Sequence, residues 1–248
     1  MSYSDLEYEI FSRQFILQNF NEKNIYKLAK ANIAVIGLGG IGCPLIQYMV
    51  SSGLKNFTFF DKDKIEKSNL GRQILYGLED VGKYKTITAK EKILRTNPNC
   101  KIKVYKEHLT KKNLNLLLNS DIVIDTCDDW KSSKLINEFC VDKSLNYIFS
   151  SAINDNIQIC LFTNKYNKHV CLNCLFPNKE DAELARCDTV GISSVCAGLA
   201  GLITAQKTIN TLLNIKNEDN ILTLINTTDF SVNNINVKNN VNCQLNNS

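Results

Sequence analysis

The residues Asn32-Ile-Ala-Val-Ile-Gly-Leu-Gly-Gly-Ile-Gly42 decide the fold class of this chain of 248 residues. Residues 32–36 form an apolar run that ends at glycines, which is typical of a strand buried on both faces. The glycines fit the pattern G-x-G-x-x-G and stand at Gly37, Gly39, Gly40 and Gly42. A helix is predicted over 41–52 and a second strand over 56–60, followed by Asp61. This order predicts a strand–turn–helix–strand unit of the nucleotide-binding type.

Helical and strand-like segments continue to alternate after this unit. Up to residue 150, the pattern predicts helices at 83–95, around 110–118 and at 131–144, and strands at 101–105, 121–125 and 146–150. This alternation predicts an α/β fold with a doubly wound, mainly parallel, Rossmann-like sheet and helices on both faces. A C-terminal, β-containing and Cys-rich part follows, with strands at 157–163, 221–225 and 227–232, an irregular stretch at 164–190 and a long apolar helix at 192–214.

The chain divides into four segments. They are an N-terminal helical arm at 1–30, a Rossmann-like nucleotide-binding region at 31–150, a Cys-rich helix and strand region of the same domain at 151–235, and an Asn-rich tail at 236–248. The arm begins with Ser4 and Glu7 at the spacing of a capping box. The tail is expected to be disordered.

Composition excludes several classes of protein. Charged residues make up 22% and the mean hydropathy is -0.16, which excludes global disorder. No apolar run reaches the ~18 residues of a membrane span and the start is unlike a signal peptide, so we expect a cytoplasmic protein without a membrane partner. The net charge is +4, and the basic residues are spread along the sequence without a Lys/Arg block, so no nucleic-acid partner is expected. Among 29 basic residues, the arginines are Arg13, Arg72, Arg95 and Arg186.

The glycine turn alone leaves the ligand open. Glycines let the backbone approach phosphate oxygens, and the following helix supplies N–H donors at its N-terminus. An acidic side chain such as Asp61 can accept hydrogen bonds from ribose hydroxyls. Three interpretations fit the glycine turn and Asp61: a site for ATP, a site for a dinucleotide such as NAD, or a tight turn with a structural role only.

Further polar residues favour ATP. They are Arg13 in the arm, Ser68-Asn69-Leu-Gly-Arg72-Gln73 after the second strand, Lys85 on the next helix, and Asp128 and Asp129 after the strand 121–125. Chemistry at a triphosphate needs guanidinium and ammonium groups to balance negative charge, and a carboxylate to hold Mg²⁺. A dehydrogenase has no obvious use for this set.

In this order and spacing, the motifs resemble the ThiF/MoeB/HesA group of the ubiquitin-activating-enzyme-like superfamily, which contains sulfur-carrier adenylyltransferases. The resemblance covers roughly residues 6–230 and includes Cys171-x-x-Cys174. It implies ATP as the nucleotide and Mg²⁺ as its metal. The resemblance implies that the Gly40 region contacts the nucleotide and that Asp61 binds the ribose. It also implies that Asp128 binds the metal. The residues that it places at the phosphates are Asn69, Arg72 and Lys85, with Ser68 and Gln73 in the same segment.

Two further expectations follow from the resemblance. Arg13 matches an arginine that reaches into the active site of the other subunit of a homodimer. Asp129 departs from the family, which usually has Asn there, and an extra carboxylate would alter metal affinity. Each residue also has a plainer interpretation: Arg13 and Arg72 as surface ion-pair partners, Lys85 as a solvated lysine, and Asp128 as the cap of the helix at 131–144.

Cysteines form the second group of candidate site residues. Cys171 and Cys174 have zinc-knuckle spacing. Where the family has a second C-x-x-C pair, this chain has Cys243 and Asn246, so zinc is expected with an incomplete set of ligands, Cys171, Cys174 and Cys243, unless His169 is the fourth. The alternative is a degenerate site whose fold persists without metal. Six other thiols are predicted to be small core residues: Cys43, Cys100, Cys127, Cys140, Cys160 and Cys196.

Cys187 matches the cysteine that forms a thioester or acyl disulfide with the carrier in some members of the family. A thiolate near Arg186 and a helix N-terminus would have a lowered pKa and attack an acyl-adenylate readily. The alternative is an inert loop thiol, because adenylylation itself does not require it.

The resemblance implies an ATP-dependent adenylyltransferase that activates the Gly-Gly tail of a ubiquitin-like sulfur-carrier protein, for thiamine or molybdenum-cofactor synthesis. A persulfide sulfur donor or Cys187 would then displace AMP, and the region after residue 151 would dock the carrier. The alternatives are adenylation of another carboxylate, such as a peptide, or of a tRNA base, an NAD-dependent oxidoreductase, and a scaffold without catalysis.

Overall fold

The computed structural model of the chain describes residues 4–163, 170–177, 191–215, 219–241, 243 and 245. These residues contain one sheet of eight strands in the order β3-β2-β1-β4-β5-β6-β7-β8. The strands are β1 (Asn32–Ile36), β2 (Asn56–Phe60), β3 (Lys101–Tyr105), β4 (Ile122–Asp125), β5 (Asn146–Ile153), β6 (Asn156–Phe162), β7 (Ile221–Asn226) and β8 (Val232–Asn236).

The sheet confirms the predicted fold class. Strands β1 to β5 are parallel, and β6, β7 and β8 are added antiparallel at one side. The strand order reverses between β1 and β4, which is the position where open α/β sheets bind ligands at the carboxyl ends of their strands. The described helices are α1 (Asp5–Phe15), α2 (Glu22–Lys30), α3 (Gly42–Ser51), α4 (Lys85–Thr96), α5 (Trp130–Asp142), α6 (Leu172–Leu175) and α7 (Ser194–Leu213).

Two predicted elements are wrong, and side chains of asparagine explain both. Residues 110–118 contain only a short 3₁₀ helix, Leu114–Leu117, since the Asn113 side chain accepts from the backbone N–H of Thr110 at 2.7 Å and closes a local turn. The last strand begins at Val232, after a turn in which the Asn226 side chain accepts from the N–H of Thr228 at 2.8 Å.

The two faces of the sheet bury separate apolar clusters. Along β1, Ile33 and Val35 pack into the cluster that includes α3, α4 and α7, while Ala34 and Ile36 face the cluster beneath α5. Helix α7 lies directly against the start of α3: a Cβ built on Gly201 would stand 2.5 Å from the carbonyl oxygen of Ile41. The turn after β1 is therefore supported by a helix from the last quarter of the chain.

Helix α1 is fixed near the amino end of β2, on the side of the sheet opposite the carboxyl ends of the parallel strands. It begins with the predicted capping box, in which the Ser4 hydroxyl accepts from the N–H of Glu7. Glu7 is 2% exposed and forms an ion pair with Lys55, which directly precedes β2. Asp61 follows the other end of β2, six residues or roughly 20 Å from Lys55.

The C-terminal tail is described in part, at residues 236–241, 243 and 245. Although a disordered tail is predicted from the sequence, Cys243 is 5% exposed and lies beside Cys171. Among the helices of the described ranges, none combines the length and the apolar character that crossing a bilayer requires.

Candidate nucleotide site and cysteine cluster

A cleft of about 860 Å³ opens at the carboxyl ends of β1, β2 and β4. This volume is within the usual range of small-molecule sites. It brings together most of the predicted ligand-binding residues, namely Gly37, Gly39, Gly40, Asp61, Ser68, Asn69, Arg72, Gln73, Lys85, Asp128 and Asp129. Residues that lie 92 positions apart in the sequence thus share one site.

The glycine turn requires glycine at two positions for different reasons. Gly37 has a φ of +94°, and a Cβ there would stand 2.8 Å from the carbonyl oxygen of Thr126. Gly42 is buried beneath the turn, where a Cβ would stand 2.3 Å from the carbonyl oxygen of Gly37. The Thr126 hydroxyl donates to that same carbonyl at 2.8 Å, so the loop after β4 is tied to the turn after β1.

Asp61 is held by two backbone donors. Its Oδ2 accepts from the N–H of Leu38 and its Oδ1 from the N–H of Asp63, both at 2.8 Å. Burial raises the pKa of the Asp61 carboxyl, while Lys85 and the two N–H groups act in the opposite direction. Asp61 therefore fixes the glycine turn to the end of β2 and still lines the cleft.

The segment from Glu66 to Gln73 forms one wall of the cleft. The Asn69 Oδ1 accepts from the N–H of Glu66 at 3.1 Å, and Arg72 Nη1 lies 3.4 Å from the carbonyl oxygen of Ser68. Gln73 is 3% exposed, and its Oε1 has no hydrogen-bond partner among the described residues. A buried amide oxygen without a partner at the edge of a cleft indicates a position for a ligand donor or water.

Lys85, the first residue of α4, contributes a buried cation to the cleft. Its Nζ donates to Asp63 Oδ2 at 3.0 Å, and its side chain is 7% exposed. Arg72 and Lys62 also line the cleft, and Arg72 lies close to the glycine turn, since its Cγ is 3.4 Å from an ideal Cβ on Gly40.

The loop between β4 and α5 presents Asp128 to the cleft. Asp129 is the N-cap of α5, and its Oδ1 accepts from the N–H of Ser132 at 2.8 Å. The cap is thus Asp129 rather than Asp128, which is exposed at the cleft. Beneath the loop, Asp125 accepts from the Tyr147 hydroxyl at 2.7 Å and from the N–H of Cys127 at 2.9 Å, and burial raises the pKa of its carboxyl.

Arg13 does not line the cleft of its own chain. It lies exposed in the last turn of α1, the helix fixed at the opposite sheet edge. Cys187, Arg186 and His169 lie outside the described residues.

Three thiols meet on the α5 side of the sheet. The Sγ of Cys171 lies 3.9 Å from that of Cys174 and 3.7 Å from that of Cys243, and all three sulfur atoms lie within 4.8 Å of one another. A tetrahedral zinc with Zn–S bonds of ~2.3 Å separates its sulfur ligands by ~3.8 Å, so the three positions fit such an ion. The hydrogen bond with Cys174, together with burial, raises the pKa of the Cys171 thiol.

The remaining described thiols are mostly core residues, as predicted. Cys43, Cys100, Cys140, Cys160 and Cys196 are buried. Cys127 is an exception, because it is partly exposed and lines the cleft. Burial and the nearby carboxylate of Asp125 raise the pKa of the Cys127 thiol well above its ordinary value, which disfavours the thiolate.

Sequence reasoning missed several residues of the cleft. Glu107 and His108 follow β3, and Asp63 lies two residues after Asp61. The predicted topology could have indicated these residues, because the carboxyl ends of adjacent parallel strands lie at the same side of the sheet. Trp130 and Ile192 also line the cleft, and nothing in the sequence pattern distinguishes Ile192 from other apolar residues.

The reversal of strand order, the glycine turn and the polar cleft define the class, a doubly wound α/β protein with a nucleotide-type site. The chain belongs to the ThiF family, whose sequence profile matches residues 11–245.

Several curated relatives carry the names of adenylyltransferases. A sulfur carrier protein adenylyltransferase of Thermus thermophilus is 30% identical over 87% of this chain and 81% of its own length. A probable molybdopterin-synthase adenylyltransferase of Gracilaria tenuistipitata is 31% identical over 87% of this chain and 61% of its own. The adenylyltransferase and sulfurtransferase UBA4 of Scheffersomyces stipitis is 32% identical over 86% of this chain, which spans 49% of that relative.

Solved structures share the fold at lower sequence identity. A crystal structure of MccB from E. coli with ATP has a TM-score of 0.83 and 21% identity over 96% of this chain and 75% of its own. MccB with a form of MccA has a TM-score of 0.84 and 22% identity over 99% of this chain and 76% of its own.

Proposed function

We propose that this protein is an ATP-dependent adenylyltransferase that activates the C-terminal glycine carboxylate of a ubiquitin-like sulfur-carrier protein. The observation that carries the proposal is the meeting of Arg72, Lys85 and Asp128 with the glycine turn in one cleft. The names of the relatives, which concern sulfur carriers and molybdopterin synthase, support the choice of substrate.

The reaction needs no protein nucleophile. An oxygen of the tail carboxylate attacks the α-phosphorus of ATP, the bond to the bridging oxygen breaks, and pyrophosphate leaves with the electron pair. Arg72 and Lys85 balance the charge that moves to the leaving oxygens, and the glycine turn and Asp61 hold the nucleotide in place. Asp128 would hold Mg²⁺, which supplies further positive charge to the phosphates when it is bound.

We infer a homodimer in which Arg13 serves the cleft of the partner subunit. The Glu7–Lys55 ion pair fixes α1 at the amino end of β2, whereas the cleft lies at the carboxyl end. The exposed apolar residues Leu6, Tyr8, Ile10, Ile16 and Leu17 surround Arg13 in sequence and suit a surface that a second copy covers. Its guanidinium would add a third cation to the partner's phosphates.

We further propose that Cys171, Cys174 and Cys243 hold a structural zinc ion. The distances between their sulfur atoms fit tetrahedral zinc, and thiolates are ligands that zinc prefers. The ion would tie the C-terminal tail to α6, which packs beside α5. It would lie on the scaffold and take no part in the transfer of AMP.

Sulfur transfer would follow adenylylation. Attack by a persulfide sulfur donor on the acyl-adenylate releases AMP and leaves an acyl disulfide, which a thiol reductant converts into the thiocarboxylate. Attack by Cys187 would give a thioester instead. The antiparallel strands β6, β7 and β8 are the platform we propose for carrier docking, in the cytoplasm.

ATP–pyrophosphate exchange tests the proposal directly. Purified protein, Mg·ATP and labelled pyrophosphate are incubated with a small ubiquitin-like carrier that ends in Gly-Gly. We expect label in ATP with the intact carrier and none with a control carrier that lacks its last glycine. Exchange without a carrier, or only with free peptides, would contradict the choice of substrate, and tighter binding of NAD than of Mg·ATP would contradict the class of reaction.

A further inference from the structure

Asp63 lines the cleft beside Lys85 and has no role in the reaction described above. Its Oδ2 accepts a hydrogen bond from Lys85 Nζ at 3.0 Å. Across the described residues, no other carboxylate forms an ion pair with this ammonium group within 4 Å. The Lys85 side chain is 7% exposed and that of Asp63 is 49% exposed, so a buried cation depends on a half-exposed partner.

Lys85 needs such a partner because its side chain is long. Lysine carries its charge on a flexible stem of four carbons, and a compact ammonium group imposes no fixed geometry on its contacts. Asp63 contacts both the side chain and the backbone of Lys85, since the N–H of Lys85 also donates to the carbonyl oxygen of Asp63 at 3.0 Å. The carboxylate therefore fixes the end of a side chain whose start is already held by the backbone.

The contact is part of a network that reaches the glycine turn. The N–H of Asp63 donates to Asp61 Oδ1, and Asp61 Oδ2 accepts from the N–H of Leu38. On the other side, the Tyr76 hydroxyl lies 3.0 Å from the carbonyl oxygen of Leu38 and 3.4 Å from that of Lys85. The position of the ammonium group is thus linked to the backbone that would hold the phosphates.

We propose that Asp63 is a positioning residue for Lys85, which holds the buried ammonium group where the phosphates of ATP enter the cleft. The proposal rests on the proposed function in taking ATP as the ligand. Asp63 acts through Lys85 and contacts no reacting atom. It lowers the cost of ATP binding, because an ammonium group that is already fixed loses little freedom when it meets a phosphate.

A double-mutant cycle on the full chain tests this role. Asp63→Asn removes the charge and keeps the size, and both of its backbone hydrogen bonds remain available. Lys85→Met removes the ammonium group and keeps most of the stem. Calorimetric titration with Mg·ATP, without any carrier, gives the Kd of the wild type, each single variant and the double variant. We expect Asp63→Asn to raise Kd about tenfold in the wild type and to change it less than about twofold in Lys85→Met.

Two controls accompany the cycle. Asp142→Asn removes the carboxylate of the exposed Asp142–Lys143 pair, outside the cleft, and should leave Kd unchanged. Asp63→Glu keeps the charge and should recover part of the affinity. A loss of affinity that is equally large with and without Lys85 would overturn the proposal, and so would unchanged or tighter binding by Asp63→Asn.

The result is separable from the proposed function. Carrier-dependent exchange could be absent while the cycle shows the expected coupling, in which case the substrate assignment fails and the role of Asp63 stands. If the wild type shows normal carrier-dependent exchange but the cycle is additive, the proposed function stands and the role of Asp63 fails. A wild type that binds no ATP would overturn both.

Discussion

Arg72 combines two properties that separate arginine from lysine. Its stem packs close to the glycine turn, with Cγ 3.4 Å from an ideal Cβ on Gly40, while its Nη1 lies 3.4 Å from the carbonyl oxygen of Ser68. A guanidinium group can keep one N–H on this carbonyl and present others to a phosphate, which a single ammonium group does less well. The chain has only four arginines among 29 basic residues, so this choice is informative.

We expect Arg72→Lys to retain the fold and lose ATP–pyrophosphate exchange by roughly 100-fold, because charge at the leaving oxygens is no longer balanced by a planar donor group. Exchange and the thermal unfolding midpoint are measured together. Arg95→Lys, in the exposed last turn of α4, is the matched control and should behave as the wild type. Near-normal exchange by Arg72→Lys would count against the role of Arg72.

For single residues, the sequence indicates which side chains belong to the site better than it indicates their hydrogen-bond partners. Asp128 and Asp129 are adjacent, and either carboxylate can cap a helix. The choice depends on where α5 begins, at Trp130, which a pattern locates only to within a few residues. The order of the motifs indicates Lys85, whereas its contact with Asp63 depends on how the loop after β2 folds back.

Helix α4, which carries Lys85, is held by a network around Asp80. This carboxylate is 3% exposed, accepts from the N–H of Gly77 at 3.0 Å, and pairs with Lys83 and with Lys92 on α4. Burial alone would raise its pKa, but the hydrogen bonds from Lys92, Gly77 and Lys83 lower it to about 2. The network contributes stability that depends on pH.

We expect Asp80→Asn to lower the free energy of unfolding by about 2 kcal/mol at pH 7. A carboxyl whose folded pKa is depressed stabilises above its unfolded pKa and loses that effect as pH falls through the folded value. The difference between wild type and variant should therefore shrink between about pH 4 and pH 2. Urea unfolding at pH 7, 4 and 3 measures it. Glu79→Gln, whose exposed carboxylate also contacts Lys92, should change stability little at any pH.

The cysteine cluster connects α6 with the tail. If it holds zinc, protein prepared without chelators contains about one zinc ion per chain, and Cys243→Ser contains clearly less and unfolds at a lower temperature. Elemental analysis and thermal unfolding check both points. Cys160→Ser, at a buried thiol outside the cluster, should keep its zinc. Substoichiometric metal in the wild type would contradict the zinc proposal.

For the whole molecule, the position of Arg13 away from the cleft of its own chain leads us to expect that two inactive variants can complement each other in a hybrid dimer. We expect Arg13→Ala and Arg72→Ala each to lose exchange. After the two variants are mixed and their subunits allowed to reassort, half of the dimers are hybrids with one intact site, so roughly a quarter of wild-type activity should return. Recovery is measured with the carrier at saturation, beside the unmixed variants. No recovery, or a fully active Arg13→Ala, would contradict a role across subunits.

The sheet shows what a sequence can determine at this scale. Short apolar runs that end at glycine or aspartate predicted β1, β2 and β4, and with them the edge where the cleft opens. Of the antiparallel strands, β6 and β7 are predicted to within one residue, whereas β8 is not, because it is exposed along its whole length and has no apolar alternation to mark its limits. The approach of Cys243 to Cys171 spans 72 positions, and it is indicated by the family resemblance rather than by any local pattern.

The packing of α7 against the glycine turn has a consequence for synthesis on the ribosome. Nearly all residues of the cleft have been made by Ile153, yet Ala197 and Gly201 on α7 pack against Gly40 and Ile41. Until these residues emerge, the apolar side of the turn lies open to water. A nascent chain thus contains nearly all parts of the site before the helix that supports it exists, and we expect nucleotide affinity to arise late in translation.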